Sequence, residues 1–128
     1  MIKIETCIFT KALITSGSSA QLPYLFLDFY DRQAENVQSK IEWTLQLIRT
    51  TPQVPEKYFK HMEGTIGLFE IRVEVGNNIF RIFSFFDKGN LVILGNGFQK
   101  KTQKTPKSEI DKAHKIMEEY FNEKAKRK

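Results

Sequence analysis

Six basic side chains in the second half of the chain stand where one site could gather them: Arg72, Arg81, Lys100, Lys101, Lys104 and Lys107. The two arginines lie in successive alternating segments, LFEIRVEV (68–75) and NIFRIFSFFD (78–87), and the lysines follow a third, LVILGNGF (91–98). A guanidinium is a permanent cation whose planar fork of donors matches phosphate oxygens, whereas an ammonium is a compact charge on a flexible stem. Such a set suits a ligand that carries negative charge. Proton exchange at the site would need an imidazole, a carboxylate or a lysine of lowered pKa. The candidates are His61, His114, Glu70 and the lysines. His61 lies beside Lys60 in the basic stretch KYFKHM, while His114 falls near an apolar helical stripe and reads as structural or exposed.

The turns decide whether these groups meet. If Gly76 and Asn77 form a two-residue hairpin loop, Val75 pairs with Asn78 and Arg72 falls directly opposite Arg81. If Lys88 and Gly89 form the next loop, Arg81 pairs with Asn96 and Ile79 with Phe98. Arg72, Ile79, Arg81, Asn96 and Phe98 then share one face, and Lys100 extends the row by parity. Like charges set opposite one another destabilise a sheet, so an anionic ligand is the expected reason for the arrangement. A change of one residue in either loop would turn a strand over. The competing reading pairs Arg72 with Glu70 or Glu74, gives Arg81 another acid, and makes the lysine run a solvated connector. Phe98, with Lys101 and Lys104 beyond it, supplies the mixture of ring and charge that single-stranded nucleic-acid sites use.

The elements that must hold this face are legible from periodicity. Residues 2–10 read as a first strand and 14–23 as a loop. Leu27, Tyr30, Ala34, Val37, Ile41, Leu45 and Ile48 recur at spacings of three and four, which predicts a long helix from about Pro23 to Arg49, broken near Asp31. A short helical turn is expected over 55–62, where Pro55 suits a first helical position. Thr105-Pro106 offers a start for a last helix with Ile110, Ala113, Met117, Tyr120 and Phe121 on one stripe, and residues 119–128 read as a tail that frays. The expected architecture is α+β. An antiparallel sheet, a three-strand meander plus the N-terminal strand, carries helices packed on one face, all within a single domain spanning 1–128.

Composition narrows the class. The chain has 128 residues, 41% of them hydrophobic with eleven Phe, enough for a packed aromatic core. Its net charge is +5, with 7 basic and 7 acidic residues in 1–64 but 13 basic and 8 acidic in 65–128. The excess therefore coincides with the expected strands and favours an anionic partner. The lone Cys7 leaves no disulfide partner and reads as a small buried hydrophobe, which fits a reducing compartment. No segment approaches the roughly 20 apolar residues of a membrane span, so a cytoplasmic protein is expected. His, Asp and Glu do not cluster at ligand spacing and no phosphate-binding glycine loop is present, so neither metal nor cofactor is expected.

Glu70-Ile71-Arg72, Phe80-Arg81-Ile82-Phe83 and Gly97-Phe98-Gln99-Lys100-Lys101-Thr102, in this order, resemble the core of the RelE/HigB toxin superfamily, specifically its phage-derived HigB-like branch. The resemblance covers roughly residues 24–121. It implies a RelE/ParE-like fold and a toxin of a type II toxin–antitoxin module, a metal-independent endoribonuclease that cleaves messenger RNA on the ribosome. It further implies a cognate antitoxin of HigA-like, helix-turn-helix type. On this reading Arg72, Arg81, Lys100 and His61 are the catalytic candidates, and Lys60, Asn96, Phe98, Lys101 and Lys104 bind RNA. Members of the branch often carry His just before Gly-Phe. This chain has Asn96, whose amide can position a phosphate but cannot titrate near neutral pH. The alternatives are a non-catalytic basic module that holds nucleic acid or an acidic protein, and a gyrase-directed ParE-like toxin.

Overall fold

The computed structural model describes residues 3–5, 22–101 and 104–126. Among the described residues five strands form one sheet: β1 (Lys3–Glu5), β2 (Phe59–His61), β3 (Leu68–Val75), β4 (Asn78–Phe86) and β5 (Leu91–Lys100). Their order is β1-β5-β4-β3-β2, with β2 to β5 antiparallel and β1 parallel to β5. Among the described residues three helices accompany the sheet: α1 (Leu22–Asp31), α2 (Glu35–Thr50) and α3 (Lys107–Lys126). This is the α+β arrangement expected of a RelE/ParE-like domain, with a strand added at β2. The reading of residues 6–21 lies outside the described residues.

The long apolar stripe becomes two helices. α1 ends at Asp31, and Ala34 takes an extended conformation (φ −64°, ψ 157°) to restart the chain as α2. Val37, Ile41, Thr44 and Ile48 then bury one face of α2, which Pro52 and Pro55 keep from continuing. At Pro55 the expected helical turn forms only as a single turn, in which the Tyr58 and Phe59 amides donate to the Pro55 carbonyl. The chain then extends into β2, because Phe59 buries itself in the core formed by α1, α2 and the sheet.

The helices divide between the two faces of the sheet. Phe26 and Phe29 of α1 and the apolar stripe of α2 pack with Ile71, Val73, Phe80, Ile82, Val92 and Leu94. The alternate residues of the same strands, Leu68, Phe83, Phe85 and Ile93, pack instead against Ala113, Ile116 and Tyr120 of α3. The expectation of helices on one face is corrected for α3. It covers only the Leu68/Phe83/Phe85 end of its face, and the end bearing the arginines is left open.

Residues 119–128, expected to fray, are helical as far as Lys126. Asp87, at the end of β4, explains the difference. Its carboxylate accepts from Tyr120 Oη at 2.8 Å and from Lys124 Nζ at 2.6 and 2.7 Å. Burial alone would raise the Asp87 pKa, but these bonds outweigh it and hold the carboxyl below its ordinary value.

Candidate functional site

The first hairpin forms as its sequence specifies. Gly76 takes φ 60°, which suits a two-residue loop that follows the twist of its strands. Val75 therefore pairs with Asn78 and Arg72 with Arg81. The second turn is longer than expected. Asp87 N donates to Leu91 O at 2.8 Å, leaving Lys88, Gly89 and Asn90 as the loop. A bulge then sets Gly95 and Asn96 against Phe83, shifting the register by one more residue. Arg81 consequently faces Phe98, not Asn96, and Ile79 faces Lys100, not Phe98. Two single-residue shifts restore the original parity, so Phe98 and Lys100 do share the face of the arginine pair.

Each arginine also has an acid, as the competing reading held. Arg72 Nη2 lies 2.7 Å from Glu74 Oε1, and Arg81 Nη1 donates to Glu70 Oε1. Glu70 pairs across β2 with Lys60, so carboxylate and ammonium join the guanidinium row. Arg81 is only 7% exposed, and the Nε–H groups of both arginines are buried without hydrogen bonds. Burial pushes the Arg81 pKa down and Arg72 adds to this, while Glu70 opposes it. Burial also lowers the pKa of Lys100, with the charges of Arg81 and Arg72 acting in the same direction and Glu70 against it.

A cleft of about 410 Å³ opens over these groups. Lys57, Lys60, His61, Arg72, Arg81 and Lys100 line it, together with Glu56, Met62, Glu63, Glu70 and Thr105. Of the nine expected site residues, the cleft thus gathers Arg72, Arg81, Lys100, Lys60 and His61. The alternation of β2 pairs Lys60 with Glu70 on the arginine side, while His61 pairs with Phe69 and sets its ring edge-on to that ring at 5.2 Å. His61 is therefore a rim residue whose imidazole rests on a phenyl ring.

The other four lie outside the cleft lining. Asn96 is 2% exposed, and its Nδ2 donates to Glu109 of α3 through both the backbone oxygen (3.2 Å) and Oε1 (3.0 Å). Its expected place across from Arg81 is corrected by the bulge, which turns the amide under the start of α3. Phe98 packs on Phe83 with ring centres 5.5 Å apart. Lys101 and Lys104 are exposed beyond the strand end. Sequence reasoning weighed Glu70 as a proton-exchanging group but left it out of the final site set, although it stands two residues from Arg72, alternation places both on one face, and it lines the cleft. Glu56, Lys57 and Thr105 carried no such signal, because only the tertiary fold brings them over the sheet.

The cleft can therefore hold an anion over an arginine pair in which Arg81 is buried and Arg72 half-buried, with the partly buried Lys100 beside it. Among the described residues no group of three His, Cys, Asp or Glu side chains could hold a metal ion, and no helix is long and apolar enough to cross a membrane. The model of the family described as phage-derived protein Gp49-like matches residues 28–118. The chain belongs to that family. The match runs from α1 into α3, so every residue lining the cleft falls inside the Gp49-like region. A comparison with curated proteins gives no match.

Proposed function

We propose that this Gp49-like protein is the toxin of a type II toxin–antitoxin module, acting in the cytoplasm as a metal-independent endoribonuclease on ribosome-bound messenger RNA. The arginine pair at the base of the cleft, with Lys100 two residues beyond Phe98, is the observation that carries this reading. In the reaction an RNA 2′-hydroxyl attacks the adjacent phosphorus, the new 2′-O–P bond forms and the P–O5′ bond breaks. The products are a 2′,3′-cyclic phosphate and a free 5′-hydroxyl. Arg72 and Arg81 offset the charge that develops on the phosphorane, the kind of preorganised electrostatic support that is usually the largest contribution to catalysis. Lys100, its pKa lowered by burial, is the group best suited to take the 2′ proton. The proton for the departing oxygen comes from β2, either from Lys60 on the arginine side or from His61 at the rim, and Lys60→Gln and His61→Gln separate the two. Lys57, Lys101 and Lys104 hold flanking phosphates, and a helix-turn-helix antitoxin silences the protein.

One observation favours a second reading, a basic module that binds RNA or an acidic protein without cutting. Among the described residues His61 is the only imidazole that lines the first cleft, its ring rests on Phe69, and Asn96 is buried. Induction without a partner tests between them. Growth should arrest with the wild-type chain and continue with an Arg72→Ala, Arg81→Ala variant at equal soluble expression. Arrest by both would remove the arginine pair from the account, and arrest by neither would favour the binding module.

A further inference from the structure

A second cleft, about 240 Å³, opens next to the first and is lined by Lys40, Thr44, Lys57, Tyr58, Arg72, Glu74 and Gly76. Lys57 and Arg72 line both clefts, so the two form one path. That path leaves Lys100 and the arginine pair, crosses the β2–β3 edge and ends beneath α2. Its far end is aromatic. Tyr58 lines the second cleft and meets Trp43 of α2 edge-on, with ring centres 5.8 Å apart. Trp43 is 47% exposed, unusual for the chain's single tryptophan when α2 has a buried stripe to place it in. Core packing does not account for that position.

Lysines lie over both rings. Lys40 Nζ is 4.0 Å from the centre of the Trp43 ring, and Lys57 Nζ is 5.7 Å from that of Tyr58. Exposed cation–π contacts of this kind are weak, and stacking a nucleobase on the same ring is worth more. A polynucleotide can therefore take the ring faces for its bases while the displaced lysines turn to its phosphates. Among the described residues Glu74 is the only acid that lines the second cleft, and it is paired with Arg72 at 2.7 Å.

We infer that the second cleft is a nucleotide subsite for single-stranded RNA. It takes the nucleotides that flank the phosphate held at Arg72 and Arg81, with a base stacked on Trp43 or Tyr58 and phosphates on Lys40 and Lys57. The inference rests on the proposal that the first cleft holds RNA, and it adds a grip on the strand away from the bond that breaks. The path is too polar and too basic for an apolar peptide, whereas alternating charge and ring match the alternating phosphate and base of a single strand.

Because Trp43 is the only tryptophan, its fluorescence reports on this subsite alone. The wild-type chain would be titrated with end-labelled 2′-O-methyl oligoribonucleotides, which cannot be cleaved, of two to eight nucleotides. Label anisotropy would follow binding and tryptophan emission would follow stacking. The expected result is binding by all lengths, quenching only by those long enough to reach α2, and an affinity gain with length that Trp43→Ala and Lys40→Ala each reduce about tenfold. Trp43→Phe, which keeps a stacking ring, should retain most of the gain. Tight binding with no quenching at any length would overturn the subsite and leave the first cleft as the RNA site. Absence of binding by any length would overturn both. Equal quenching by a poly-glutamate peptide would assign the groove to an acidic protein and overturn the RNA inference.

Discussion

Lys100 carries a charge that the fold opposes, and this sets a prediction at the scale of one residue. Burial and the two arginines place its folded pKa below the ordinary 10.5, although Glu70 works the other way. Between the folded value and 10.5 the unfolded chain binds more protons than the folded one, so stability rises with pH across that window. Below the window the folded protein carries the full cost of the charged form. Lys100→Met should therefore raise the urea midpoint at pH 7, and its advantage should shrink as pH approaches 10.5. An equal midpoint for variant and wild type at both pH values would show that the charge is not opposed. The same substitution should lower activity, since a group held against its preference is the one suited to exchange protons. Alternation and the Gly-Asn turn were enough to pair Arg72 with Arg81, whereas Lys100 joins them because the longer second turn and the bulge cancel in parity. What alternation lacked was Asn96, because no residue type marks in advance that Gly95 and Asn96 would share one partner in a bulge.

At the scale of elements, two contacts decide how the helices frame the cleft. A Cβ added to Gly97 would lie 2.5 Å from the Phe29 ring, so α1 rests on β5 only because position 97 has no side chain. Gly97→Ala should cost about 1–3 kcal/mol, the usual range for overpacking. Combined with Phe29→Ala it should cost less than the sum of the two single changes, as read from thermal unfolding of the single and double variants. Simple additivity of the two changes would mean that they do not share the contact. On the other face, Asp87 ties α3 to β4. Its folded pKa lies below the ordinary 3.8, so its contribution is complete above that value and is lost as pH falls through the lower one. Asp87→Asn should cost about 1.5–3 kcal/mol at pH 7, as expected for bonds to a buried charge. It should also speed amide exchange in the last turns of α3, and unchanged exchange over 120–126 would contradict the anchor. That anchor was not legible in the sequence. NEKAKRK reads as a solvated tail until Asp87, 37 residues before Lys124, is brought beside it.

Across the whole molecule, the division of labour follows from incomplete cover. α1 and α2 close one face of the sheet, and α3 closes only part of the other, so the charged half of that face becomes a cleft instead of a core. The three-strand meander and the first hairpin were readable because alternation and a Gly-Asn loop act locally. The β2 strand, the position of α3 and the second cleft were not, since each depends on contacts between distant segments. The central claim is that the open half-face cleaves RNA by way of its own 2′-hydroxyl. It is tested most directly by incubating the purified chain with ribosomes carrying a defined message and analysing the ends produced. Cleavage should leave a 2′,3′-cyclic phosphate and a 5′-hydroxyl, stop at any site given a 2′-deoxy nucleotide, and fall about 10²- to 10³-fold in Arg81→Ala. Cleavage that survives the 2′-deoxy substitution, or that Arg81→Ala leaves intact, would contradict the account, as would no cleavage at all by a chain that arrests growth.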